Sequence, residues 1–143
     1  YPQDIVAMQE IIWDMRPDCV VETGIAHGGS LILSASLLQM LGGDGFVVGV
    51  DIDIRPHNRA AIEAHPLAGY ITLVEGSSTA PDTVAHVQAL IKPGERVLVL
   101  LDSNHTKAHV RAELDVYAGL VSAGSYITTF SSSSALVRSP LAS

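Results

Sequence analysis

Cysteine is almost absent. Cys19 is the only one in 143 residues, which excludes an internal disulfide and a cysteine-built zinc cluster, and makes a reducing cytoplasm the expected setting. Positive charge is scarce as well: eight Lys and Arg stand against fifteen Asp and Glu, for a net charge of −7, with no basic cluster anywhere. Electrostatic attraction to nucleic acid or to an anionic membrane surface is thereby excluded. No apolar run approaches the ~20 residues that span a bilayer, and no signal-peptide pattern opens the chain. The dinucleotide fingerprint Gly-x-Gly-x-x-Gly is missing too. These absences point to a small-molecule partner.

Hydrophobic residues, by contrast, make up 48% of the chain, enough for one domain burying roughly two thirds of its unfolded surface. Residues 1–130 are expected to form that core, and residues 131–143 an irregular Ser-rich tail. The start at Tyr1 and the aperiodic end read as the core of a longer protein or as a core carrying a non-native tail.

Short Val-rich runs alternate with helical patterns. Helices are expected over 2–15, 30–41, 55–64, 80–91 and 106–120, and strands over 19–22, 46–51, 71–75, 96–102 and 125–130. Alternation at this spacing predicts a doubly wound, Rossmann-like α/β fold with right-handed crossovers, a mostly parallel five-stranded sheet in the order 3-2-1-4-5, and a ligand crevice above strands 1 and 4. Trp13, Cys19 and the methionines read as core. The sheet edge beyond strand 5 is expected to be exposed, and self-association there is expected with it.

The densest chemistry lies in Glu22-Thr23-Gly24-Ile25-Ala26-His27-Gly28-Gly29-Ser30. A strand emptying into a glycine turn leaves backbone N–H groups facing a ligand, with no side chain to hold it away. The acid before the first glycine suits a cationic amino-acid end, as in S-adenosylmethionine. Glu22, Asp51 and Asp102 each close a strand, and parallel strands bring their ends to one rim. Asp51 occupies the position at which mononucleotide folds hold ribose hydroxyls. Asp53 reads as a solvated neighbour. Ser77 and Ser78 either meet an adenine edge or cap the next helix. His105, three residues beyond Asp102, is a candidate general base. The other five histidines read as structural or solvent-facing, His27 less firmly because it lies in the turn.

The chain resembles the cephalosporin hydroxylase / rhamnosyl O-methyltransferase family. The likeness rests on the stretch from Glu22 to Ser30, on Gly49-Val50-Asp51-Ile52-Asp53-Ile54-Arg55-Pro56-His57-Asn58-Arg59, on Glu75-Gly76-Ser77-Ser78, and on Leu101-Asp102-Ser103-Asn104-His105-Thr106. It implies a class I methyltransferase fold, S-adenosylmethionine as methyl donor, a magnesium ion, and a hydroxylated small-molecule acceptor such as an antibiotic sugar. Carried onto this sequence, it sets Glu22 and Gly24 beside the methionine end of the donor, Asp51 on the ribose and Ser78 beside the adenine. Ala26, Gly28, Ser30, Ser77 and Asp102 complete the expected donor contacts. Asp102 resembles the first magnesium ligand and His105 the general base. Relatives carry a second metal carboxylate after the fifth strand; Phe130 and Ser131 stand there instead, which weakens the expected metal site. A non-catalytic donor-binding core remains a rival. A nicotinamide-dependent oxidoreductase is disfavoured by the missing fingerprint, and an iron hydroxylase by the lack of a His-x-Asp/Glu motif with a distant His.

Overall fold

Continuous apolar runs with no polar alternation form strands only when both faces of the sheet are covered. The computed structural model, which describes residues 2–104, 106–122, 124–129 and 135–138, shows that arrangement. Helix α1 (Pro2–Met15) precedes β1 (Cys19–Thr23), α2 (Gly29–Leu41), β2 (Phe46–Asp51) and α3 (Pro56–Glu63). A 3-10 turn over Ala68–Tyr70 leads to β3 (Ile71–Glu75), α4 (Pro81–Leu90), β4 (Val97–Leu101) and α5 (Lys107–Tyr117). A second 3-10 turn, Ala118–Leu120, leads to β5 (Tyr126–Thr129) and β6 (Ala135–Arg138).

The strands lie in the order β3-β2-β1-β4-β5-β6. The first five are parallel, in the expected 3-2-1-4-5 arrangement, with β1 between β2 and β4. Successive side chains point to opposite faces, which divides the interior in two. Val20, Val47, Leu98 and Leu100 pack with Met8 and Ile12 of α1, Leu31 and Leu38 of α2, and Ile62 of α3. Val21, Val48, Val50 and Val99 pack on the other face with Val87 of α4 and Tyr117 of α5. Glu22 shares the parity of Val20, so its side chain enters the α1–α2 side.

Three expectations change. Residues 135–138 form a strand antiparallel to β5, pairing Thr129 with Ala135 and Tyr126 with Arg138, so they are not irregular and β5 is not the sheet edge. A four-residue edge strand takes its identity from its partner, which sequence periodicity does not report. Trp13 and Met40 are 46% and 63% exposed, so neither is core. The buried stripe of α1 runs through Met8 and Ile12, while the Arg16 guanidinium lies 5.9 Å from the Trp13 ring centre at the helix end. Phe130, Ser131 and most of the expected tail lie outside the described residues.

Candidate functional site

The turn after β1 is shaped by what its backbone must avoid and what it must satisfy. Gly24 has φ +87°, and a Cβ there would overlap the Asp102 backbone carbonyl. Only glycine lets the ends of β1 and β4 approach this closely. The Gly24 N–H donates to the Val50 carbonyl at 2.8 Å. Next, the Ile25 and Ala26 N–H groups donate to Asp51 Oδ2 at 2.8 and 3.3 Å. Asp51 Oδ1 accepts from the Asp53 N–H at 3.2 Å. Ala26 is in the left-handed region at φ +45°, an uncommon state for a residue with a side chain. The buried Asn58 on α3 helps hold it there by donating from Nδ2 to the Ala26 carbonyl at 2.7 Å. Asp51 therefore organises the turn as well as facing the crevice. Gly28, at φ +85°, lets α3 pack closely, since a Cβ would meet Ile62 Cδ1 at 2.5 Å.

Glu22 is 1% exposed. Its Oε1 accepts the Ser30 hydroxyl at the start of α2, while Oε2 is buried with no hydrogen-bond partner among the described residues. Burial pushes its carboxyl from 4.5 up to about 7; the Ser30 hydroxyl opposes that shift and the Asp102 charge adds to it. Asp102 follows β4, is exposed, and is anchored by its N–H to the Thr23 carbonyl at 2.9 Å. With Gly29 and Ser30 it lines a cleft of 280 Å³ beneath Asp4, Ile5 and Met8 of α1.

A second cavity has a volume of 250 Å³. Gly24, Asp51, Ser77, Ser78, Ser103 and His109 face it. The structure thus sets Ser30 and Asp102 on one cavity and Gly24, Asp51, Ser77 and Ser78 on the other, at the carboxyl ends of the strands, while the buried Glu22 lines neither. Ala26 and His27 face a neighbouring 390 Å³ cleft that also reaches Asp51. The acid closing β3, Glu75, pairs instead with Arg59 at 2.8 Å.

Sequence reasoning missed four participants. Asn58 supports Ala26 from 32 residues away. Ser103, His109 and Glu113 form a bonded group at the pocket wall: Ser103 Oγ donates to Glu113 Oε1 at 2.7 Å and lies 3.1 Å from His109 Nε2. His109, expected to be structural or solvent-facing, also stands 3.4 Å from Ser78 Oγ. Its spacing of four from Glu113 on an expected helix was the available signal. His105 lies outside the described residues. Cys19 is fully buried, and burial pushes its thiol up to about 12, which makes it inert.

Magnesium requires a near-octahedral set of oxygen ligands. Among the described residues no three His, Cys, Asp or Glu side chains group as metal ligands do. Asp102 is the carboxylate at this rim onto which the resemblance carries a magnesium ligand, and the positions that directly follow β5 lie outside the described residues.

The profile of the family described as Rhamnosyl O-methyltransferase/CmcI matches residues 1–136. The chain belongs to this family. The rhamnosyl O-methyltransferase of Mycobacterium tuberculosis (strain ATCC 25618 / H37Rv) is 34% identical over 127 residues, covering 87% of this chain and 49% of that protein. The Mycobacterium leprae (strain TN) protein of the same description is 31% identical, covering 87% and 52%. The chain therefore spans about half the length of these curated relatives. Among solved structures, MycE methyltransferase from the mycinamycin biosynthetic pathway, in complex with Mg and SAH, superposes with a TM-score of 0.66 at 21% identity, over 86% of this chain and 30% of that one. This family member shares the same sheet and helices with it.

Proposed function

We propose that this chain is the donor-binding core of an S-adenosylmethionine-dependent O-methyltransferase acting on a hydroxyl of a sugar or small natural-product metabolite. The observation that carries the reading is the pocket where the Gly24 turn, the Asp51 carboxylate and Ser78 meet. A carboxylate at the end of β2 accepts hydroxyl hydrogens, which suits a ribose. Glu22 Oε2 is buried without a hydrogen-bond partner among the described residues, and a cationic N–H donor brought to it would satisfy that oxygen and draw the carboxyl into its charged form. Gly24 and Gly28 keep the floor free of side chains. Ala26, Ser30 and Ser77 line the approaches. These residues fit the donor.

When bound, the donor supplies a methyl group on a cationic sulfur, ready to be transferred to an acceptor oxygen. This chain's residues bind and orient it, and that alignment lowers the barrier by several kcal/mol, on the order of what proximity provides in other enzymes. His105 is the proposed base that takes the acceptor's proton, and Asp102 lies at the same rim, where the family resemblance sets a metal ligand. Support for magnesium comes from the description of MycE as a methyltransferase in complex with Mg and SAH, and support for a sugar acceptor from the relatives described as rhamnosyl O-methyltransferases. No helix among the described residues is long and apolar enough to cross a membrane; the single buried cysteine fits a cytoplasmic setting. β6 pairs with β5 and ends the sheet, so the self-association expected at the sheet edge is carried to β6 as part of this proposal.

Thermal shift with two cofactors tests the reading. S-adenosylmethionine is expected to raise the melting temperature while NAD leaves it unchanged; a shift with NAD alone refutes it. Transfer of a labelled methyl group to hydroxylated sugars, with and without magnesium, then separates an enzyme from a binding core.

A further inference from the structure

A fully buried acid needs a reason to be where it is. Glu113 on α5 is 1% exposed, and an acid is kept in a core only where hydrogen bonds offset the lost water. Its Oε1 accepts the Ser103 hydroxyl at 2.7 Å, and His109 Nε2 stands 3.4 Å from the same oxygen and 3.1 Å from Ser103 Oγ. Ser103 belongs to the crossing from β4 to α5, and that crossing walls the site. Asp102 lines the 280 Å³ cleft, while Ser103 and Asn104 line the 250 Å³ cavity. On the β1 side the crossing is well fixed. The Asp102 N–H donates to the Thr23 carbonyl at 2.9 Å, and the Gly24 backbone abuts it so closely that a Cβ there would meet Ser103 Cα at 2.7 Å. Toward α5 there is open space instead: a cavity of 760 Å³ is lined by Leu101, Ser103, Asn104, Glu113, Leu114 and Thr129. Packing does not hold a segment where it borders an opening of that size. What ties Ser103 to α5 is its contacts with Glu113 and His109.

We propose that Glu113 is a positioning residue for Asp102: it holds the β4–α5 crossing through Ser103 and so keeps Asp102 at its place on the cleft. The part Asp102 then plays rests on the donor reading above; its placement does not. A leucine in place of Glu113 would fill the core without burying an acid, but it would leave the crossing untied. A carboxylate oxygen is the strongest acceptor that a side chain offers a serine hydroxyl, which suits a bond that must act without the help of packing.

Amide hydrogen exchange of the full chain, followed residue by residue by NMR, is the test. In Ser103→Ala, a substitution at an exposed position, exchange at the Asp102 N–H is expected to rise about tenfold or more, while Val99 and Leu100 within β4 keep their wild-type rates. Glu113→Ala is expected to raise Asp102 by a similar factor over the β4 amides. Glu113→Gln still offers an oxygen to the Ser103 hydrogen, and is expected to return Asp102 to within about threefold of wild type. A residue that merely stabilises the fold would speed Asp102 and the β4 amides together. Such a uniform rise in Glu113→Ala, no rescue by Glu113→Gln, or unchanged exchange at Asp102 in Ser103→Ala overturns the inference. Ser103→Ala decides the matter if the Glu113 variants fail to fold. Calorimetry of the wild type with S-adenosylhomocysteine runs alongside: no binding overturns the donor reading, and the exchange rates still decide the placement of Asp102.

Discussion

Glu22 should make the protein less stable as pH rises. The folded state holds its proton up to about pH 7, whereas the ordinary value is 4.5. Between those two values the unfolded chain has lost its proton and the folded chain has not, so unfolding gains ground as pH increases. Each tenfold difference in proton affinity is worth about 1.4 kcal/mol. The interval from 4.5 to about 7 therefore corresponds to about 3 kcal/mol of stability lost between roughly pH 4.5 and 8. Glu22→Gln removes the titration while retaining an oxygen for the Ser30 hydroxyl. Its buried amide hydrogens carry a penalty of about 1–3 kcal/mol, but that offset does not depend on pH. Urea midpoints measured across this range for both proteins isolate the effect. The wild-type midpoint should fall relative to that of Glu22→Gln by about 1–2 M, taking the usual denaturant slopes. Parallel pH profiles would show that Glu22 is not held protonated, and the argument from its buried, half-satisfied carboxyl would fail.

Three further outcomes follow from the site. Gly24→Ala forces a Cβ into the Asp102 carbonyl at a left-handed position, so it should lower stability by about 2 kcal/mol or more and abolish donor binding; a thermal melt identical to wild type would contradict this. Asn58→Ala removes the bond to the Ala26 carbonyl and should cost about 1–2 kcal/mol in chemical denaturation; an unchanged midpoint would mean that the turn holds its shape unaided. His105→Ala should abolish methyl transfer and spare donor binding, and equal loss of both would remove His105 from the role of base.

How much of this was legible in the sequence depends on how local each signal is. The Val97–Leu101 run announces a strand by itself, and parallel strands must bring Asp51 and Asp102 to the same edge as Glu22. The fold and the rim were therefore readable. That Asp51 would be occupied by the N–H groups of Ile25 and Ala26 was not, because the contact closes 25 or 26 residues of chain. Asn58 and Glu113 were missed for the same reason: an Asn on a short helix and a Glu amid helical charges look solvated until packing buries them. Trp13 failed in the other direction, since helical spacing reports a stripe but not its width. The edge strand 135–138 exists through β5, and nothing within its four residues foretold the pairing.

Calorimetric titration of the wild-type protein and of Asp51→Ala with S-adenosylmethionine tests the central claim most directly. Wild-type binding, weakened more than about tenfold when the β2 carboxylate is removed, is the predicted result. No heat of binding in the wild type, or equal affinity in the two proteins, would contradict it.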